Sequence, residues 1–176
     1  MSDTLICDDY GAVTEPATFE IQRLLPGPIE RVWDYLTKSE LRRQWLAAGE
    51  MTLAEGAPFT LVWRNEELLG SVGPRPEGAA EEHTLDSRIL EADPPRRLSF
   101  AWREGDVTFT LEPVGERVRL SLVHRRVSDR ANLTAVSAGW HAHLGVLSAA
   151  LEGRTPEPFW PTWTRLRTEY DARIPR

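Results

Sequence analysis

Cysteine and lysine are almost missing from this chain: Cys7 and Lys38 are the only ones. A single cysteine excludes an internal disulfide and a cysteine-built zinc cluster. No apolar run approaches the ~20 residues that a membrane-spanning helix needs. Met1 to Gly11 has neither a basic start nor a long apolar stretch, so no secretory signal is expected and the chain reads as cytoplasmic. Phosphate loop, dinucleotide glycine fingerprint, nucleophile elbow and paired cysteine nucleophile are all missing. Those gaps argue against an ordinary kinase, dehydrogenase or hydrolase. Positive charge is in deficit, with 21 Lys and Arg against 27 Asp and Glu, a net charge of −6. Neither nucleic acid nor an anionic membrane suits such a surface.

What is present is a globular composition. The chain has 176 residues, 41% hydrophobic and 27% charged, enough for one domain with a real core. The most informative stretch is Glu91 to Trp102, where Pro94-Pro95 forces a turn. Leu98, Phe100 and Trp102 then alternate with polar or small residues, the pattern of a half-buried strand. Val107, Phe109 and Leu111 alternate in the same way, as do Val118, Leu120, Leu122 and His124. With Glu104-Gly105-Asp106 and Gly115-Glu116 as turns, these segments read as an antiparallel meander.

Upstream, residues 1–16 read as a flexible tail. Phe19 and Ile21 alternate with Glu20 and Gln22 in a first strand. Pro28 opens a helix whose Ile29, Val32, Trp33 and Leu36 recur at helical spacing. A second short helix is expected over Ser39–Trp45. Gly49–Leu53 and Pro58–Arg64 read as a hairpin, and Leu85–Glu91 as a further strand. Between them the Gly- and Pro-rich stretch from Asn65 to Glu82 reads as a connection. Leu133, Val136, Trp140, Leu144, Leu147 and Leu151 make one apolar stripe over a long helix, roughly Asn132–Glu152, ended by Gly153. Phe159–Ala172 is expected to be a last helix.

The order of these elements resembles the helix-grip fold of the START and SRPBCC superfamily. More closely, it is similar to bacterial proteins of the heat shock protein 90 ATPase activator homologue family. The resemblance is carried by Pro28-Ile29-Glu30-Arg31-Val32-Trp33, by Leu41 with Gln44-Trp45, by Asp93-Pro94-Pro95-Arg96-Arg97-Leu98 before Phe100-Ala101-Trp102, by Thr108 to Gly115, and by Gly139-Trp140 with Leu144, Leu147 and Leu151. It implies an α+β domain over residues 17–153: a curved antiparallel β-sheet of about seven strands wrapped around the long helix. Residues 154–176 would be a helical extension packed on the same domain. The family's second helix usually ends in paired tryptophans, whereas here Trp45 is followed by Leu46. The family has no universal catalytic residue to carry across.

Seven tryptophans are many for this length. Trp33, Trp45, Trp63, Trp102 and Trp140 fall on inward faces, as core rings or as the lining of an apolar cavity between sheet and long helix. Trp63, Trp102 and Trp140 are the candidates for a ligand site, with Phe109 beside them. His124 continues the inward Val118-Leu120-Leu122 face and is either a ligand-orienting or acid–base group or a bonded rim histidine. His143 lies near the inner stripe of the long helix. Arg88 shares a strand face with Asp86, either at the surface or at the cavity mouth. His141 and His143 point about 200° apart on a helix and cannot share an ion, so no metal and no cofactor are expected.

Three functions are consistent with these residues. The first is binding of a hydrophobic or amphipathic small molecule. The second is a cyclase-, dehydratase- or hydrolase-type enzyme using His124. The third is regulation of a chaperone ATPase; eukaryotic activators carry a separate N-terminal domain that Met1–Pro16 is too short to supply, which argues against a chaperone partner. The aromatic C-terminal helix either packs on its own domain or forms a homodimer contact.

Overall fold

The computed structural model describes residues 10–15 and 17–174. Cys7 and most of the expected tail lie outside them. Seven strands form one antiparallel sheet: β1 (Ala12–Glu15), β2 (Thr18–Pro26), β3 (Pro58–Trp63), β4 (His83–Asp93), β5 (Arg97–Trp102), β6 (Gly105–Val114) and β7 (Arg117–Arg125). Their order across the sheet is β1-β2-β7-β6-β5-β4-β3. Two short helices, α1 (Ile29–Thr37) and α2 (Ser39–Arg42), follow β2. The long α3 (Arg130–Glu152) and α4 (Phe159–Arg173) end the chain. This is the α+β helix-grip architecture.

The alternating patterns act as expected. Along β7 the residues Val118, Leu120, Leu122 and His124 are buried while their neighbours face outward. Phe109 opposes Leu122 on β7 and Leu98 on β5, so each inward residue meets an apolar partner across the ladder. The central helix starts two residues before the expected Asn132. Asp129 caps it by accepting a 2.9 Å bond from the Asn132 backbone N–H. Gly153, at φ 70°, closes it.

The strand count comes about differently from the reading above. Residues 49–53 form no strand; only Ala48 bridges to Val62. The seventh strand is instead Ala12–Glu15, inside the segment read as a tail, paired with β2 through Ala12↔Glu20 and Val13↔Phe19. Ala17 makes the reversal at φ 62°, a left-handed turn with no glycine to announce it. The second helix is also shorter than expected. It ends at Arg42, and residues 43–46 continue as turns.

Arg42 explains that ending. It is only 2% exposed, yet it meets no carboxylate of the described residues at salt-bridge distance. Its guanidinium donates to the Leu36 and Ala47 carbonyls at 3.1 Å each and to the Gly49 carbonyl. Burial lowers its pKa to about 10 against a partial restoring field from Glu50, so it stays charged. Gly49 is needed at this knot: it sits at φ +138°, and a Cβ there would lie 2.0 Å from the Thr60 carbonyl oxygen.

We therefore expect Arg42→Leu to lower unfolding stability by about 3 kcal/mol, because several buried carbonyls lose their donor. Arg42→Lys should rescue little of it, since an ammonium cannot reproduce the planar fork. Urea denaturation of both variants checks this; a wild-type midpoint for Arg42→Lys would contradict it.

Candidate functional site

His124 sits on β7 opposite Phe19 on β2 and Val107 on β6. It faces α3 and is 1% exposed. The Trp140 indole N–H, on α3, donates to its Nδ1 at 3.0 Å. An indole nitrogen can only donate, so Nδ1 is the acceptor and the ring proton belongs on Nε2. Burial pushes the His124 pKa down to about 4. The imidazole is thus neutral near pH 7, with its basic lone pair already occupied.

One turn further along α3, His143 is held in the opposite tautomer. Its Nδ1–H donates to the Trp45 carbonyl at 2.7 Å, and a carbonyl can only accept. Burial lowers this pKa to about 4 as well, against a smaller opposing effect of that hydrogen bond. Its Nε2 is therefore a bare acceptor, with no hydrogen-bond partner among the described residues. The ring stacks on Phe159 of α4 at 4.6 Å between centroids. His141, two residues back, turns the other way and bonds the Tyr170 hydroxyl at 2.9 Å.

Around these rings the aromatics form a chain. Trp102 lies 4.8 Å from His124, 5.6 Å from Trp140 and 5.4 Å from Trp63, centroid to centroid. Phe109 packs its edge on Trp140 at 5.8 Å. Under the middle of α3 the interior is solid: Phe109, Leu144 and Leu147 are at most 2% exposed. Space opens to one side, in a cleft of about 370 Å³. Trp63, Trp102, Trp140, Phe159, Trp160 and Trp163 supply its aromatic walls, with Leu46 and His143 deeper in.

The cleft thus gathers four of the expected site residues, Trp63, Trp102, Trp140 and His143. Three others fall elsewhere. Phe109 is core beneath Trp140. His124 borders a second cavity of about 530 Å³, next to Trp102, Arg103 and Arg126. Arg88 is exposed beside Pro58, on the outer face of the sheet, because the alternation that buries Leu85 and Ile89 turns it outward. Asp86 bonds Thr60 Oγ1 at 2.9 Å, not Arg88.

The outer wall was not among the expected site residues. It comes from α4, whose aromatic face reads equally well as a packing surface. Trp160 is fixed at its backbone by the Val72 carbonyl (2.8 Å) and at its indole by Glu66 Oε2 (3.1 Å). Tyr170, lower on the same helix, accepts from the Gly11 N–H at 2.8 Å. The face of α4 is therefore engaged within the chain. No helix among the described residues is long and apolar enough to cross a membrane.

The model of the Activator of Hsp90 ATPase homolog 1-like protein family matches residues 26–152. The chain belongs to that family. A protein of Bordetella parapertussis solved by NMR is 36% identical, over 96% of this chain and 92% of its own, with a TM-score of 0.80. CalU16 of Micromonospora echinospora is 22% identical, over 93% and 91%, with a TM-score of 0.62. DynU16, from the dynemicin biosynthetic locus, is 19% identical over 80% of this chain and 49% of its own, with a TM-score of 0.61. The latter two share the fold. No curated protein matches the chain.

Both histidines have folded-state pKa values of about 4, below the ordinary ~6.5. The unfolded chain therefore binds more protons below pH 6.5, and stability must fall as pH drops from about 6.5 to about 4. The loss per histidine approaches about 3 kcal/mol at the acid end. Between pH 6.5 and 5, carboxylates contribute little to such a slope. Denaturation midpoints across that window should decline in the wild type and decline less in His124→Phe; equal slopes would contradict the buried neutral imidazole.

Proposed function

We propose that the protein binds a small apolar or amphipathic molecule, aromatic in part, in the cleft between α3, α4 and the ends of β3 and β5. The observation that carries this reading is the cleft's lining, which includes five of the chain's seven tryptophans. A ligand site of this kind is mostly apolar with a few placed polar groups. Indole faces left beside open space favour a flat partner over water.

Acid–base catalysis at His124 is the weaker alternative. A general base needs a free lone pair and a pKa near the working pH. Trp140 occupies Nδ1, and burial lowers the pKa to about 4. These features suit a structural imidazole.

Ala135 lies half-buried on the cleft wall of α3, so a larger side chain there fills space without disturbing the sheet. Across a panel of neutral two-ring aromatics, the best binder at a hundredfold excess over its Kd should raise the wild-type Tm by about 5–10 °C. Ala135→Phe should keep its unliganded Tm within a few degrees and lose that rise. Silence of the wild type across the panel, or an equal rise in the variant, would contradict the site.

A further inference from the structure

We infer that the ligand carries no anionic group and does carry a hydrogen-bond donor, as a phenolic or alcoholic hydroxyl does, which it presents to His143 Nε2. This rests on the binding reading above and adds the chemical class of the guest.

The first observation is charge. No aspartate, glutamate, lysine or arginine among the described residues lines the cleft. Removing an ionised group from water without a partner is costly, so a carboxylate would find no cation on the lining to offset that cost. Arg103 and Arg126 border the neighbouring cavity, beyond Trp102.

The second observation is the polarity of the cleft's hydrogen-bonding groups. His143 is locked as an acceptor, because its only N–H is spent on the Trp45 carbonyl. Its Nε2 has no protein donor among the described residues. Asn65, also on the lining, has a buried Oδ1 with no hydrogen bond. A buried acceptor left unpaired, as Asn65 Oδ1 is, is unusual in folded proteins, and the His143 Nε2 on the same lining is open to a donor that enters the cleft. Two of the cleft's indoles already have acceptors, Trp140 on His124 and Trp160 on Glu66. Those of Trp63, Trp102 and Trp163 donate to no described residue. A hydroxyl answers both needs, since it donates once and accepts as well. An ether of the same shape accepts only.

Three probes of one size separate the possibilities: 1-naphthol, 1-methoxynaphthalene and 1-naphthoate, titrated calorimetrically at pH 7.5. Naphthol should bind about five- to tenfold tighter than the methoxy compound, the range expected for one net hydrogen bond. Naphthoate should bind more weakly than either. In His143→Phe the naphthol advantage should vanish while methoxynaphthalene still binds. If that variant fails to fold, nitrogen NMR of the wild-type imidazoles takes its place: naphthol should shift the His143 Nε2 resonance and methoxynaphthalene should not. Equal affinity of naphthol and its methyl ether for the wild type would overturn this inference and leave the binding site standing. Tighter binding of naphthoate would overturn the exclusion of anionic ligands. Binding of none of the three would remove the inference together with the site.

Discussion

The hydrogen bond from the Trp140 indole to the His124 imidazole fixes everything else about this interior. It joins the long helix to the centre of the sheet at a point with almost no access to water. It sets the rotation of α3, because an indole must aim its single N–H at one atom of β7. That rotation places Trp140 against Trp102, and it brings His143 round to the Trp45 carbonyl on the loop after α2. Two imidazoles in opposite tautomers follow from two partners, one that can only donate and one that can only accept. Buried neutral rings of this kind are stable only while both partners stay in place.

The cleft is a consequence of how the chain closes over this centre. Beneath the middle of α3 the packing is close around Phe109, Leu144 and Leu147, and the cleft opens at the side. There α4 returns across the face of α3. The family match ends at residue 152, before Phe159, Trp160 and Trp163. The outer wall is thus supplied by residues beyond the family match, while Trp63, Trp102, Trp140 and His143 of the lining lie within it.

Much of this was legible in the sequence. Period-two alternation in Phe100–Trp102, Val107–Leu111 and Val118–His124 specifies strands and their inward faces, since one face of an antiparallel sheet must be apolar. The stripe from Leu133 to Leu151 specifies the helix that covers them. The same logic puts Trp63, Trp102, Trp140 and His143 indoors. It fails where position depends on tertiary partners. Alternation turns Arg88 away from Leu85 and Ile89, but only the register of β3 with β4 sets it beside Pro58 and not at a cavity mouth. Ala12–Glu15 is too short to show a period. Arg42 reads as a solvated helix charge, because nothing local reveals the carbonyls that converge on it. The part of α4 in the cleft required knowing where residues 65–83 pass, and the tautomers required seeing which atom each ring meets.

Long-range proton–nitrogen NMR of the imidazole rings tests this account most directly. At pH 7 the rings of His124 and His143 should both be neutral, the first protonated at Nε2 and the second at Nδ1. Saturation with a bound aromatic alcohol should move the His143 Nε2 resonance toward that of a hydrogen-bonded acceptor while His124 stays nearly still. A charged ring at pH 7, a shared tautomer, or an unmoved His143 in a saturated complex would contradict it.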